Sequence, residues 1–191
     1  MSTFIAGLIA FMGIHSIRIY AEKWRINQIK KLGNGTWKAL YSVASIIALA
    51  LMTNGYKQHT AIASIAVWSP PAWTWHFLVY SNSVPLILLV AAYVPNNSIK
   101  IALKDPMTIG VIFWAATHLT NVGSLAGIIL FSSFLIWGII TALACRKRRS
   151  NALPRQEIAS TRMTILTVAL GLGLWSLFAR YAYYLRGIDW F

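Results

Sequence analysis

The chain has 191 residues, 58% of them hydrophobic and only 11% charged, with a net charge of +13. A soluble domain carries about a quarter of its residues charged, so this composition excludes a soluble fold and fits a membrane protein. The basic residues fall between apolar runs and not on a polar domain. They therefore speak for membrane topology and against nucleic-acid binding.

The first apolar run follows Met1-Ser2-Thr3-Phe4 without a basic lead or a small-residue cleavage pattern. It is expected to be a permanent helix and not a removed signal. Crossing the hydrocarbon takes about 20 apolar helical residues. The sequence predicts six such spans, near 3–21, 37–55, 75–94, 106–122, 124–145 and 163–184. Ala61 to Trp75 is apolar too, but it is short and broken by Pro70-Pro71. It is expected to lie in the interface, anchored by Trp68, Trp73 and Trp75. Residues 121–124 leave room only for a tight antiparallel turn between spans four and five. Gly123 and Gly127 there form a small-xxx-small pair suited to close backbone approach. The expected fold is an all-α polytopic membrane bundle, one domain over 1–191.

Basic residues set the orientation. Fourteen of the seventeen Lys and Arg lie on one side of this six-span scheme. They run from Arg18 to Lys38, at Lys100 and Lys104, and from Arg146 to Arg162 (Arg149 and Arg155 among them). Lys57, Arg180 and Arg186 lie on the other. The asymmetry places the chain in an inner (plasma) membrane with both termini outside the cytoplasm.

An ionisable side chain within a span is costly and asks for an explanation. His59, beside Lys57 and Gln58, is assigned to an outer loop, and His76 to the water boundary. His15 and His118 sit well inside apolar runs. At the helical rise His15 lies roughly 18 Å from the outer face. His118 lies roughly 16 Å from the inner face of a core about 30 Å thick. The two imidazoles are thus expected at similar depth, where a pair can ligate haem iron from both sides.

His15, Arg18 and Glu22 share a helical stripe at i, i+3, i+7, which offers Arg18 as a partner for a haem propionate. Gly110, Trp114, His118 and Asn121 share another stripe. There Gly110 gives room for a ring face, Trp114 packs beside it, and Asn121 orients an imidazole or a polar substituent. The bland alternative is that both histidines only hydrogen-bond across helices, with Arg18 snorkelling to the headgroups. Two histidines are too few for a closed zinc site. The single Cys145 excludes an internal disulfide and a cysteine cage.

The run Gly13-Ile14-His15-Ser16 followed by Arg18, then Trp68-Ser-Pro-Pro-Ala-Trp73, Pro106, Gly110, Trp114, His118 and Gly123, resembles the NnrU family over nearly the whole chain. That family is linked to nitrite and nitric oxide metabolism. It is related to 15-cis-zeta-carotene isomerase, a haem b membrane enzyme. The resemblance implies haem b, with His15 and His118 matching the isomerase's proposed axial ligands. Two positions depart from the isomerase pattern. Asp105 stands where a His precedes the proline, and Ala115 where a Cys lies three residues before the second histidine. An exchange of His for Cys at the iron is therefore closed to this chain.

Three functions follow as expectations. The first is a haem b protein in redox or nitric-oxide chemistry. The second is a haem-dependent cis–trans isomerase of an apolar polyene. The third is a non-catalytic assembly subunit. A homo-oligomer is compatible with each. Reporter fusions at Asn34, Asn97 and Asn151 should read cytoplasmic, and fusions at His59 and Phe191 the opposite side. A cytoplasmic C-terminus would overturn the six-span scheme.

Overall fold

A computed structural model describes residues 1–62, 65–150 and 158–185. Arg155 and Arg186, counted in the orientation, lie outside the described residues, as does the side chain of Arg149. The described residues are helical apart from short connections. They divide into two compact units, 1–67 with 124–130, and 68–123 with 131–191. By length and composition five segments can cross a membrane: Ser2–Tyr20, Asn34–Thr60, Trp73–Tyr93, Leu125–Arg148 and Thr161–Tyr181. Pro106–Leu119 is a shorter apolar helix. Five full spans and one short one match the six predicted. The chain is a multi-pass membrane protein.

The first unit is built on α1 (Ser2–Tyr20) and α3 (Asn34–Ile62), joined by α2 (Glu22–Leu32). The pair runs antiparallel: Phe4 meets Tyr56 edge-on at 5.7 Å, and His15 meets Tyr41 at 5.5 Å. Two glycines make the approach close. A Cβ on Gly7 would run into the backbone at Leu51 and Met52, and a Cβ on Gly55 into the backbone at Thr3 and Phe4. Lipid tails are as apolar as the helices, so such backbone contact is what holds helices together in a bilayer. The helix α3 overruns the predicted 37–55 at both ends, because no proline stops it where the apolar run does. His59 is consequently helical and half-buried, and not in an outer loop as expected. The helix α2 was not anticipated. Ala21 (φ −128°, ψ 34°) breaks the chain away from α1, and Gly33 at φ 81° ends α2 in a conformation that suits glycine.

The second unit centres on α5 (Ser83–Tyr93), packed against α7 (Pro106–Leu119) and α9 (Thr161–Leu185). Its predecessor α4 (Trp73–Ser81) and α5 together fill the predicted third span, with a break at Asn82. Pro85 is the cause, since it has no N–H for the carbonyl of Ser81. The Asn82 amide donates instead to Leu78 O at 3.0 Å. The indole of Trp175 on α9 donates to Val79 O at 2.7 Å, and a Cβ on Gly171 would strike Ile87. Between α5 and α7 lies the short α6 (Ser98–Leu103). It is capped by Asn97, which is fully buried, accepts from Lys100 N at 2.8 Å and donates to Ala91 O and Val94 O. From residue 131 onward α8 (Leu125–Ser150) packs antiparallel to α7: Phe131 meets His118, Phe134 meets Trp114, and Gly138 lies on Ile112. The predicted hairpin is present.

The described part of the broken stretch carries no helix before Trp73. Trp68 and Trp73 are exposed, at 42% and 64%. Trp75 corrects the expectation. It is 8% exposed, buried by the packing of α4. Gly123 also differs from its predicted role. It lies ahead of α8 and makes room for the carbonyl of Trp68 and the ring of Pro70, a loop contact and not a helix crossing.

The α1–α3 contact yields a stability test. Gly7→Ala and Gly55→Ala should each destabilise by about 1–3 kcal/mol, read as a lower melting temperature in detergent. Gly173→Ala, with open space around it, should not.

Candidate functional site: two aromatic-backed histidines

His15 lies in the second half of α1 and is half-buried. Its Nδ1 is 2.8 Å from the carbonyl of Phe11, one helical turn earlier. A carbonyl only accepts, so Nδ1 carries the proton and Nε2 the lone pair. The ring stacks on Phe11 at 4.1 Å and 27°, with the Tyr41 ring edge-on from α3.

His118 lies in the last turn of α7 and repeats the arrangement. Its Nδ1 donates to Trp114 O, again one turn earlier and again at 2.8 Å. The ring stacks on Phe131 of α8 at 4.5 Å and 25°, and meets Trp114 at 4.9 Å. Trp114 is itself fixed by Phe131 at 5.1 Å and Phe134 at 5.3 Å. The hydroxyl of Thr117 donates to the same Trp114 carbonyl at 3.0 Å. Each histidine thus has an Nδ1 hydrogen bond one turn back and a stacked ring, with the same nitrogen protonated. This is the state in which imidazole ligates a metal, its other nitrogen bonded to a supporting acceptor.

The model of the family described as NnrU protein matches residues 3–189. The chain belongs to the NnrU family. No curated protein and no solved structure matches it.

The other residues singled out in the sequence have legible places in this NnrU chain. Arg18 is exposed, one turn beyond His15 and close to the end of α1. The predicted stripe stops there. Glu22 lies past the break at Ala21, on α2, and pairs with Arg25 at 3.0 Å. The room that Gly110 leaves is taken by Pro85 and Leu88 of α5, so this glycine serves helix packing. Asn121 sits in the turn after α7, where its Oδ1 accepts from Thr74 Oγ1 at 2.7 Å and ties that turn to α4. Pro106 occupies the first turn of α7, and Asp105 caps it by accepting from Thr108 N at 3.3 Å. Ala115 is fully buried. His76 is exposed near the start of α4.

Among the described residues no three His, Cys, Asp or Glu side chains gather as a metal cluster. The donors on offer are single imidazoles. Both histidines stand out in the sequence, whereas their ring partners Phe11, Tyr41 and Phe131, and Phe134 behind Trp114, do not. A signal for the first was present: Phe11 precedes His15 by four residues as Trp114 precedes His118. Those across-helix partners carry no such mark.

Proposed function

We propose that this NnrU-family protein binds haem b, which His15 and His118 would hold through their imidazoles, and serves a redox or nitric-oxide-linked role in the membrane. One observation carries the reading. Two histidines on separate helices have the same Nδ1–H bond to a carbonyl four residues back, which leaves Nε2 of each as the basic nitrogen. That hydrogen bond raises the donor strength of the ring and fixes its orientation. The similar depth of the two in the sequence adds to it.

When bound, haem would supply one-electron chemistry and, with one ligand displaced, a site for nitric oxide. The chain's own residues do the rest. Phe11 and Phe131 hold the imidazole faces, while apolar helices keep bulk water from them. Arg18 on α1 is the proposed partner of a propionate, through its planar bidentate donors. Gly110 and Asn121 act through packing and through Thr74 respectively, and Trp114 acts through its carbonyl and ring. An isomerase role finds less support, since the two isomerase positions that differ are here a helix cap, Asp105, and a buried alanine, Ala115.

Absorption spectra of purified protein, oxidised and dithionite-reduced, with pyridine extraction of the pigment, test the reading. The wild type should give reduced α and β bands and haem b. His15→Ala and His118→Ala should each weaken haem retention by at least the tenfold or so that loss of a supporting hydrogen bond costs a metal site. His59→Ala and His76→Ala should leave the spectrum unchanged. Arg18→Ala should weaken retention without altering the band positions. A colourless folded protein from haem-replete cells, or equal effects at all four histidines, would contradict the proposal and favour histidines that only brace helices.

A further inference from the structure

The helix α2 has no part in the histidine sites, and its surface is unlike that of the rest of the first unit. Its eleven residues carry Lys23, Arg25, Lys30 and Lys31 against a single acid, Glu22. That acid is tied to Arg25 at 3.0 Å, and both side chains are partly buried. Lys23, Asn27, Lys30 and Lys31 fall at i, i+4, i+7 and i+8, so they form one stripe of the helix. All four are exposed, whereas Arg25, Gln28 and Ile29 on the other side are half-buried. Glu22 is the only acid among the first 104 residues, so this half of the chain has no other carboxylate to neutralise the stripe. Apolar side chains border it: Trp24 is 50% exposed and Ile26 42% exposed.

The packing of α1 on α3 fixes where α2 runs. The antiparallel contacts Phe4–Tyr56, Gly7–Met52 and His15–Tyr41 bring the end of α1 level with the first turns of α3. Trp24, at the start of α2, indeed meets Trp37, in the first turn of α3, at 5.6 Å. The chain leaves α2 at Gly33 and enters α3 at Asn34. Both ends of α2 are therefore held near one level, although an eleven-residue helix is about 16 Å long. Such a helix must run across the α1–α3 axes and not along them. Since α1 and α3 each have the length and composition of a membrane span, that direction lies in the plane of the membrane surface.

We infer that α2 is an in-plane headgroup-binding helix, whose Lys23, Lys30 and Lys31 hold the phosphates of anionic phospholipids while Trp24 and Ile26 enter the acyl boundary. A lysine-rich helix with exposed aromatic and aliphatic flanks has the chemistry of an interfacial anchor. Each lysine close to an anionic surface contributes about 1 kcal/mol. The occupant is the bilayer itself, because α2 is covalently continuous with two spans.

Spin-labelled phosphatidylglycerol and phosphatidylcholine, added in turn to phosphatidylcholine vesicles containing the full-length protein, test this by the fraction of label that the protein immobilises. The wild type should prefer phosphatidylglycerol by on the order of fivefold or more, the contribution of one near-surface lysine. High salt should reduce that preference. Lys23→Gln/Lys30→Gln/Lys31→Gln should lower it by about fivefold or more, leaving what the other basic residues of that face contribute, while the triple arginine variant and Lys57→Gln should keep it. Lys30→Gln alone should lower it, which decides the matter if the triple variant does not fold. Equal association of the two lipids with the wild type, or a preference that glutamine substitution leaves unchanged, would overturn the inference. Neither outcome bears on the haem proposal.

Discussion

An imidazole in an apolar helix has two nitrogens with opposite needs and little water to meet them. One must donate and the other accept. In this chain His15, in the second half of α1, and His118, in the last turn of α7, resolve the conflict in the same way, by giving the Nδ1 proton to the carbonyl one turn back. The acceptor is supplied by the helix itself, so the arrangement needs no neighbour to form. What the neighbours add is rigidity: Phe11 and Tyr41 at His15, and Phe131 and Trp114 at His118. The basic Nε2 that results on each ring is the chemical feature on which the functional reading depends.

The same economy governs the other polar groups in the apolar helices. The hydroxyls of Thr53, Thr60, Thr141 and Thr167 all return to carbonyls one turn back within their own helices. The hydrocarbon offers no partner, so a backbone or side-chain group must be satisfied inside the protein. Where a helix ends, a side chain takes over, as Asn97 does for α6 and Asp105 for α7. Lys100 also reaches back to Ala92 O at 2.7 Å, near the end of α5. With these hydroxyls met locally, contact between helices rests on shape beside a few cross-helix bonds such as Trp175 to Val79. Gly7 and Gly55 let α1 and α3 touch backbone to backbone, and Gly110 and Gly171 let α5 receive α7 and α9.

The spans were legible because hydropathy at membrane length is a strong signal, and five of them run close to their predicted positions. What escaped was whatever hydropathy does not encode. The helix α2 is mostly polar, so no predicted span covers it, and α3 continues beyond its apolar run because helix geometry needs no apolar residue. The interruption at Asn82 has its cause in the sequence, Pro85, yet a single proline inside the 75–94 span does not split the predicted element. At the site, His15 and His118 stood out by the cost of an ionisable group in an apolar run. Trp75 misled because tryptophan serves both interfaces and cores, and only packing separates the two roles. Asn121 falls in the turn beyond α7 and not on the expected stripe, and Gly110 is filled by α5; the partners of both, Thr74 and α5, come from a distant part of the chain.

The central claim is that His15 and His118 each present a basic nitrogen to one iron. Electron paramagnetic resonance of the oxidised, purified protein examines that claim at the metal. Two imidazoles bound to one ferric iron would form a strong-field ligand pair, so the proposal predicts a low-spin ferric haem signal in the wild type. It also predicts conversion to a high-spin signal, or loss of haem, in His15→Ala and in His118→Ala alike. A wild-type protein that is high-spin throughout, or low-spin in a form that persists when either histidine is removed, would contradict it.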